Sequence, residues 1–152
     1  ACAVGEIWTI EPPHLYEEMG PWLALMDEAA RRDIPIRHLT RESPALAVGG
    51  ITARVINPPP SGVDGWNLND LSLALRFDWQ ERSFLVATDM EGVAERTVLA
   101  VESDLCVDLL QVAHHGSRTS SSAEFVRRTA PAPARPWEAR PSRAPPPMAT
   151  RW

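Results

Sequence analysis

Two adjacent histidines are the residues of this sequence best suited to chemistry. His114 and His115 follow Asp108–Val112, which has the apolar character of a short strand, and Gly116 lets the chain turn sharply after them. Side chains at the carboxyl end of a strand in an α/β sheet are held rigidly beside an open loop, which is where ligand sites form. Neutral imidazole is the commonest metal ligand in proteins. The pair therefore fits a metal site, with ordinary loop histidines as the alternative, because two histidines alone do not make one.

A carboxylate occupies a similar position earlier in the chain. Asp89 follows Ser83–Thr88, which is typical of a buried strand. An aspartate there can bridge two divalent ions or orient a metal-bound water, and capping the helix that begins near Glu91 is the alternative. Asp89 and His114 lie 25 positions apart, which allows one helical crossover between neighbouring strands. We therefore expect Asp89 and the two histidines at adjoining strand ends.

The elements that must position these residues alternate between strands and helices. This order predicts an α/β layered domain. Strands are expected at 1–10, 34–39, 51–57, 71–77, 83–88 and 108–112, and helices at 21–32, at 91–101 and from about 122. For the last helix, Ser121 and Glu124 have the spacing of a capping box.

Composition divides the chain at residue 126. The 152 residues are 44% hydrophobic with a net charge of -5, which leaves room for one modest core and gives no electrostatic reason to expect nucleic-acid binding. Residues 127–152 hold 7 of the 15 prolines together with arginine and alanine, without periodicity. Such a segment cannot bury enough apolar surface to offset its ordering entropy. We therefore expect a domain over 1–126 and a disordered Pro/Arg-rich tail over 127–152.

The motifs resemble those of ComEC-family DNA internalization (competence) proteins. The strand leading into His-His-Gly-Ser, followed by Arg, Thr and a serine run at 108–125, is similar to that family's most specific stretch. The segment 83–89 resembles the family strand that ends in an aspartate, with Glu95 at the place of a glutamate that commonly follows. Weaker likeness covers 69–73, 34–36 and 57–59, so the resemblance extends over roughly residues 1–126.

The resemblance implies a metallo-β-lactamase fold, a four-layer αββα sandwich with Zn²⁺ or Mn²⁺ at the sheet edge. It implies a hydrolase of the nuclease type acting on single-stranded DNA beside a membrane channel domain, in a parent protein of the bacterial cell membrane with this segment soluble and extracytoplasmic. Asp89 would then be a metal-bridging carboxylate with a catalytic role. His114 and His115 would be candidates for metal ligand and orienting residue, and His115 would also be catalytic. Ser117 and Arg118 would contact phosphate, unless they are solvated loop residues.

The chain departs from the family pattern in three ways. The His-x-His-x-Asp-His run that supplies most ligands in the superfamily is absent from the sequence, and Thr88 replaces the usual glycine before the aspartate. The Pro/Arg-rich tail also stands in place of the family's Asn-rich, His-Pro-containing segment after the last helix. We therefore expect a truncated fragment of the domain that is inactive alone. The alternatives are a degenerate, non-catalytic module that binds DNA or serves as a scaffold of the uptake machinery, and the same fold acting on a small lactone, thioester or phosphodiester.

Overall fold

The fold is a mixed α/β arrangement built around a five-stranded sheet with strand order β3-β4-β5-β6-β7. A computed structural model describes residues 3–11 and 20–130. A separate two-stranded parallel sheet joins β1 and β2. The strands are β1 Ile7–Thr9, β2 Ile36–His38, β3 Leu46–Val48, β4 Ile51–Asn57, β5 Ala74–Trp79, β6 Arg82–Val86 and β7 Leu109–Gln111, and the helices are α1 Gly20–Arg31, α2 Gly92–Val101 and α3 Ala123–Thr129.

The sheet topology collects four chain segments at one edge. Strands β3 to β6 are antiparallel in succession, whereas β6 and β7 are parallel and are joined through α2. The end of β4, the start of β5 and the ends of β6 and β7 therefore lie at the same edge. This confirms the predicted crossover between the strand before Asp89 and the strand before the histidines.

Each face of the sheet carries its own apolar cluster, because successive strand residues point to opposite faces. On the helical face, Leu85 of β6, Val98 of α2 and Phe125 of α3 are at most 1% exposed and share one core. On the other face, Ala53 and Val55 of β4 pack with Trp8. The helical-face core fixes α2 against the sheet and thereby sets where its first turn meets the sheet edge.

Several predicted elements differ from the observed ones. The first strand is limited to β1, and β5 begins at Ala74 because residues 67–72 form turns, with the Ser72 N–H donating to the Asn69 carbonyl at 3.0 Å. Strand β3 was not predicted; it pairs with β4 through a turn at Gly49 and Gly50, both with positive φ.

The predicted tail begins too early. Residues 127–129 belong to α3, because Thr129 is 1% exposed and its hydroxyl donates to the Phe125 carbonyl at 3.0 Å. The rest of the predicted tail, residues 131–152, lies outside the described part of the chain, as do residues 1–2 and 12–19. None of the helices within the described ranges is long and apolar enough to cross a bilayer.

Candidate functional site at the sheet edge

Asp89 and His115 face each other across the ends of β6 and β7. Asp89 Oδ1 lies 3.7 Å from His115 Nε2, and the side chains are 47% and 88% exposed. The separation is too long for a hydrogen bond. It is close to the spacing of two ligands on one ion, since donors about 2.1 Å from a metal lie roughly 3.4 Å or more apart at tetrahedral or wider angles. The structure thus brings together two of the predicted site residues in solvent-accessible positions.

His114 points to a different carboxylate. Its Nδ1 lies 2.8 Å from Oε1 of Glu91, and its side chain is 31% exposed. The His114 and His115 rings are inclined at 62° with their centroids 6.3 Å apart. The two adjacent histidines therefore have different partners, His114 a carboxylate just before α2 and His115 the aspartate at the end of β6.

Glu91 is the residue on which two loops converge, the one before β5 and the one that carries the histidines. Its carboxylate accepts hydrogen bonds from Thr119 Oγ1 at 2.7 Å, from Asn67 Nδ2 at 2.9 Å and from Asn69 Nδ2 at 3.3 Å, in addition to the contact with His114. These bonds, first that from Thr119 and then that from Asn67, lower the pKa of Glu91 from 4.5 to about 2 against a raising effect of desolvation. The side chain is 14% exposed and ionised at neutral pH.

The loop before β5 is attached to both β4 and α2. Asn57, fully buried at the end of β4, donates from Nδ2 to the carbonyls of Asp70 at 2.7 Å and Ser72 at 2.8 Å. The buried carboxylate of Asp70 accepts the N–H of Ala94 in the first turn of α2 at 2.9 Å. Asp70 therefore satisfies a helix-terminal donor that has no intrahelical partner. The alternative role proposed for Asp89, capping α2, is not observed, because the N-cap position is Glu91.

The loop that carries the histidines is held at its far end by Glu95 of α2. The Glu95 carboxylate, 1% exposed, accepts the backbone N–H of Ser121 and also that of Ser122, the latter at 2.9 Å. The predicted capping box is not observed, because the helix N-cap lies one residue later than expected and Phe125 takes the third position. Ser122 is the N-cap of α3 and its side chain accepts the Phe125 N–H, because Ser121 has a positive φ and its hydroxyl accepts from Ala113 N at 3.2 Å.

Both strand ends contain left-handed backbone at residues other than glycine. Thr88 has φ 50°, His114 φ 46° and His115 φ 53°. Such conformations cost about 1–3 kcal/mol each and cluster at functional sites, and threonine is a clear outlier because it is β-branched. The Thr88 carbonyl accepts the His114 N–H at 2.7 Å, so the two strained turns are bonded to each other. The glycine expected before Asp89 would suit the observed backbone at position 88.

Ser117 and Arg118 lie on the loop beyond the histidines. The Ser117 hydroxyl is 2.9 Å from that of Thr119, which in turn donates to Glu91, and Arg118 is exposed. Ser117 thus belongs to the hydrogen-bonded loop around the site. The phosphate contacts expected of this pair stay a prediction.

The described residues fit a metal only in part. Asp89 and His115 have the chemistry and spacing of two ligands, and a catalytic zinc site needs about three from the protein. Within residues 3–11 and 20–130, no group of three or more His, Cys, Asp or Glu side chains is arranged to hold a metal ion. This part of the chain therefore brings together two side chains of metal-ligating types, and no complete metal site is found among its described residues.

Glu91 was not identified as a site residue from the sequence. It appears there only as the start of a helix, and its partners lie 22 to 28 positions away in the chain. No local pattern links residues so far apart. The one available signal was a second carboxylate two positions after Asp89, in the short segment that follows the predicted strand 83–88.

The fold and the site define a mixed α/β domain with a cluster of acidic and histidine side chains at one sheet edge. No protein-family model matches the chain. Over 104 residues, 68% of its length, the chain is 27% identical to ComE operon protein 3 of Bacillus subtilis (strain 168). The match covers 13% of that protein, so the chain spans a small part of the relative's length.

Proposed function

We propose that the chain is part of a metal-dependent hydrolase domain of the metallo-β-lactamase type, a nuclease associated with DNA uptake in natural competence. The observation that carries the proposal is the 3.7 Å approach of Asp89 Oδ1 to His115 Nε2 at the ends of neighbouring parallel strands. Similarity to ComE operon protein 3 supports the association with competence. Single-stranded DNA is the proposed substrate, and a membrane channel domain of the parent protein is the proposed partner.

Asp89 and His115 would each donate one ligand to Zn²⁺ or Mn²⁺ in this reading. A divalent ion supplies Lewis-acid activation of water and of a phosphoryl group. His114 is held beside them by Glu91, and the bond from His114 N to the Thr88 carbonyl fixes the relative position of the two strand ends. Because the described residues provide two ligands, we propose that this polypeptide alone binds metal weakly and does not turn over.

The second candidate is a degenerate, non-catalytic module that binds DNA or serves as a scaffold of the uptake machinery. The lack of a third ligand among the described residues favours it. The charge of the chain, -5 in total, gives no support to DNA binding by bulk electrostatics. The two candidates differ in whether Asp89 and His115 bind a divalent ion.

A manganese titration separates the two candidates. The purified 152-residue chain is titrated with Mn²⁺ and the free aqueous ion is followed by electron paramagnetic resonance. We expect binding that weakens at least about tenfold in Asp89→Asn, about 1.4 kcal/mol. Asp64→Asn, which changes an exposed loop carboxylate, is the matched control and should leave the affinity unchanged. Equal affinity in Asp89→Asn and the parent chain, or no binding at millimolar Mn²⁺, would overturn the hydrolase proposal in favour of the scaffold.

A further inference from the structure

The environment of Glu91 determines which nitrogen of His114 can carry a proton. The carboxylate accepts from Asn67, Asn69 and Thr119 as well as facing His114 Nδ1 at 2.8 Å. An ionised carboxylate has no hydrogen to donate, so it can only accept from the imidazole. The neutral His114 ring must therefore hold its proton on Nδ1, which leaves an unshared electron pair on Nε2.

We propose that Glu91 is a positioning residue that selects the Nδ1–H tautomer of His114 and so presents Nε2 as an electron-pair donor at the sheet edge. Carboxylates that accept from one imidazole nitrogen orient the other toward a metal in many proteins. What Nε2 then does at the site rests on the proposed function, but the choice of tautomer does not. The proposal thus assigns a role to a residue that the sequence pattern did not mark.

The backbone around His114 is anchored without Glu91. The His114 N–H donates to the Thr88 carbonyl at 2.7 Å, and the His114 carbonyl accepts the Ser117 N–H at 2.9 Å. Glu95 holds the far end of the loop through Ser122 at 2.9 Å. Loss of the Glu91 charge should therefore leave the loop in place and free the imidazole to change tautomer. If Glu91 served only folding, its loss would disturb the loop and leave the tautomer of His114 unchanged.

The tautomer is read directly by long-range ¹H–¹⁵N correlation spectra of the imidazole rings. The metal-free chain is measured at about pH 8, where ordinary imidazoles are neutral. His114 is assigned by its loss in a His114→Asn variant. We expect the Nδ1–H form to exceed the Nε2–H form by at least about tenfold, as a charge-assisted hydrogen bond provides. In Glu91→Ala, which removes the acceptor oxygen beside Nδ1, we expect a mixture of forms or the Nε2–H form.

Glu124→Ala is the matched control, because Glu124 is exposed on α3 and the substitution is chemically identical. It should leave the His114 pattern unchanged. An Nε2–H or mixed His114 in the parent chain would overturn the proposal without any variant, and so would a Glu91→Ala chain that keeps the Nδ1–H pattern. These spectra are recorded without metal. They therefore test the tautomer of His114 independently of whether Mn²⁺ binds Asp89 and His115.

Discussion

Replacing Glu95 by glutamine should lower the free energy of unfolding, although the substitution only exchanges one carboxylate oxygen for an amide group. The Glu95 side chain is 1% exposed and accepts two backbone donors, Ser121 N–H and Ser122 N–H. Glutamine has nearly the same volume, so no cavity forms, but its amide can accept only one of these donors and presents N–H groups to the other. Hydrogen bonds to charged groups contribute about 1.5–3 kcal/mol each, and neutral ones about 0.5–1.5 kcal/mol. Glutamine would weaken one hydrogen bond and lose the other, and removal of a buried charge would offset part of this change. We therefore expect the free energy of unfolding to fall by about 2–3 kcal/mol.

Urea denaturation followed by tryptophan fluorescence and circular dichroism measures this loss. Trp66 packs against the helical-face core and reports on its integrity. Glu124 is exposed, so the control variant Glu124→Gln should change the free energy of unfolding by less than about 0.5 kcal/mol. If Glu95→Gln also changed it by less than about 0.5 kcal/mol, Glu95 would not anchor the loop as the geometry indicates.

Three further outcomes follow from the same geometry. Thr88→Gly should raise the free energy of unfolding by about 1 kcal/mol in thermal melts, because Thr88 has a φ of 50° that glycine adopts without strain. Thr97→Gly inside α2 should lower it by about the same amount. A loss of stability at both positions would contradict the strain at Thr88. The pKa of Glu91 is about 2 in the folded chain against 4.5 for the free side chain, so metal-free stability from this group should be complete above pH 4.5 and fall between pH 4.5 and about 2. Glu91→Gln should flatten that part of the pH–stability curve, and an unchanged slope would argue against the low pKa. Single-stranded DNA incubated with the purified chain and Mn²⁺ should show no measurable cleavage on gels; robust cleavage that is abolished by Asp89→Ala would contradict the expected inactivity of the chain alone.

The sequence predicted the elements whose signals are local. Strand β4 was placed at Ile51–Asn57, where it is observed, because alternating apolar residues are bounded by Gly49-Gly50 and a proline run. The crossover from β6 through α2 to β7 followed from the lengths of the segments. Strand β3 was missed because three residues are too few for a period, and its existence depends on pairing with β4.

The proximity of two candidate site residues was also predicted from local signals. Asp89 and His115 could be placed together because each follows a strand, and parallel neighbours bring their ends to one edge. Glu91 and its attachment to His114 could not be predicted, since they depend on how the loops at 67–70 and 113–119 fold back onto the first turn of α2. Side-chain networks between loops leave no period in a sequence.

We propose that Asp89 and His115 share one divalent ion, and an anomalous-scattering map tests this proposal most directly. Crystals of the chain are equilibrated with Mn²⁺ and measured near the manganese absorption edge. We predict one peak between Asp89 Oδ1 and His115 Nε2, which lie 3.7 Å apart without metal, at about 2.0–2.3 Å from each. A map with manganese bound elsewhere and no peak between these two atoms would contradict the account.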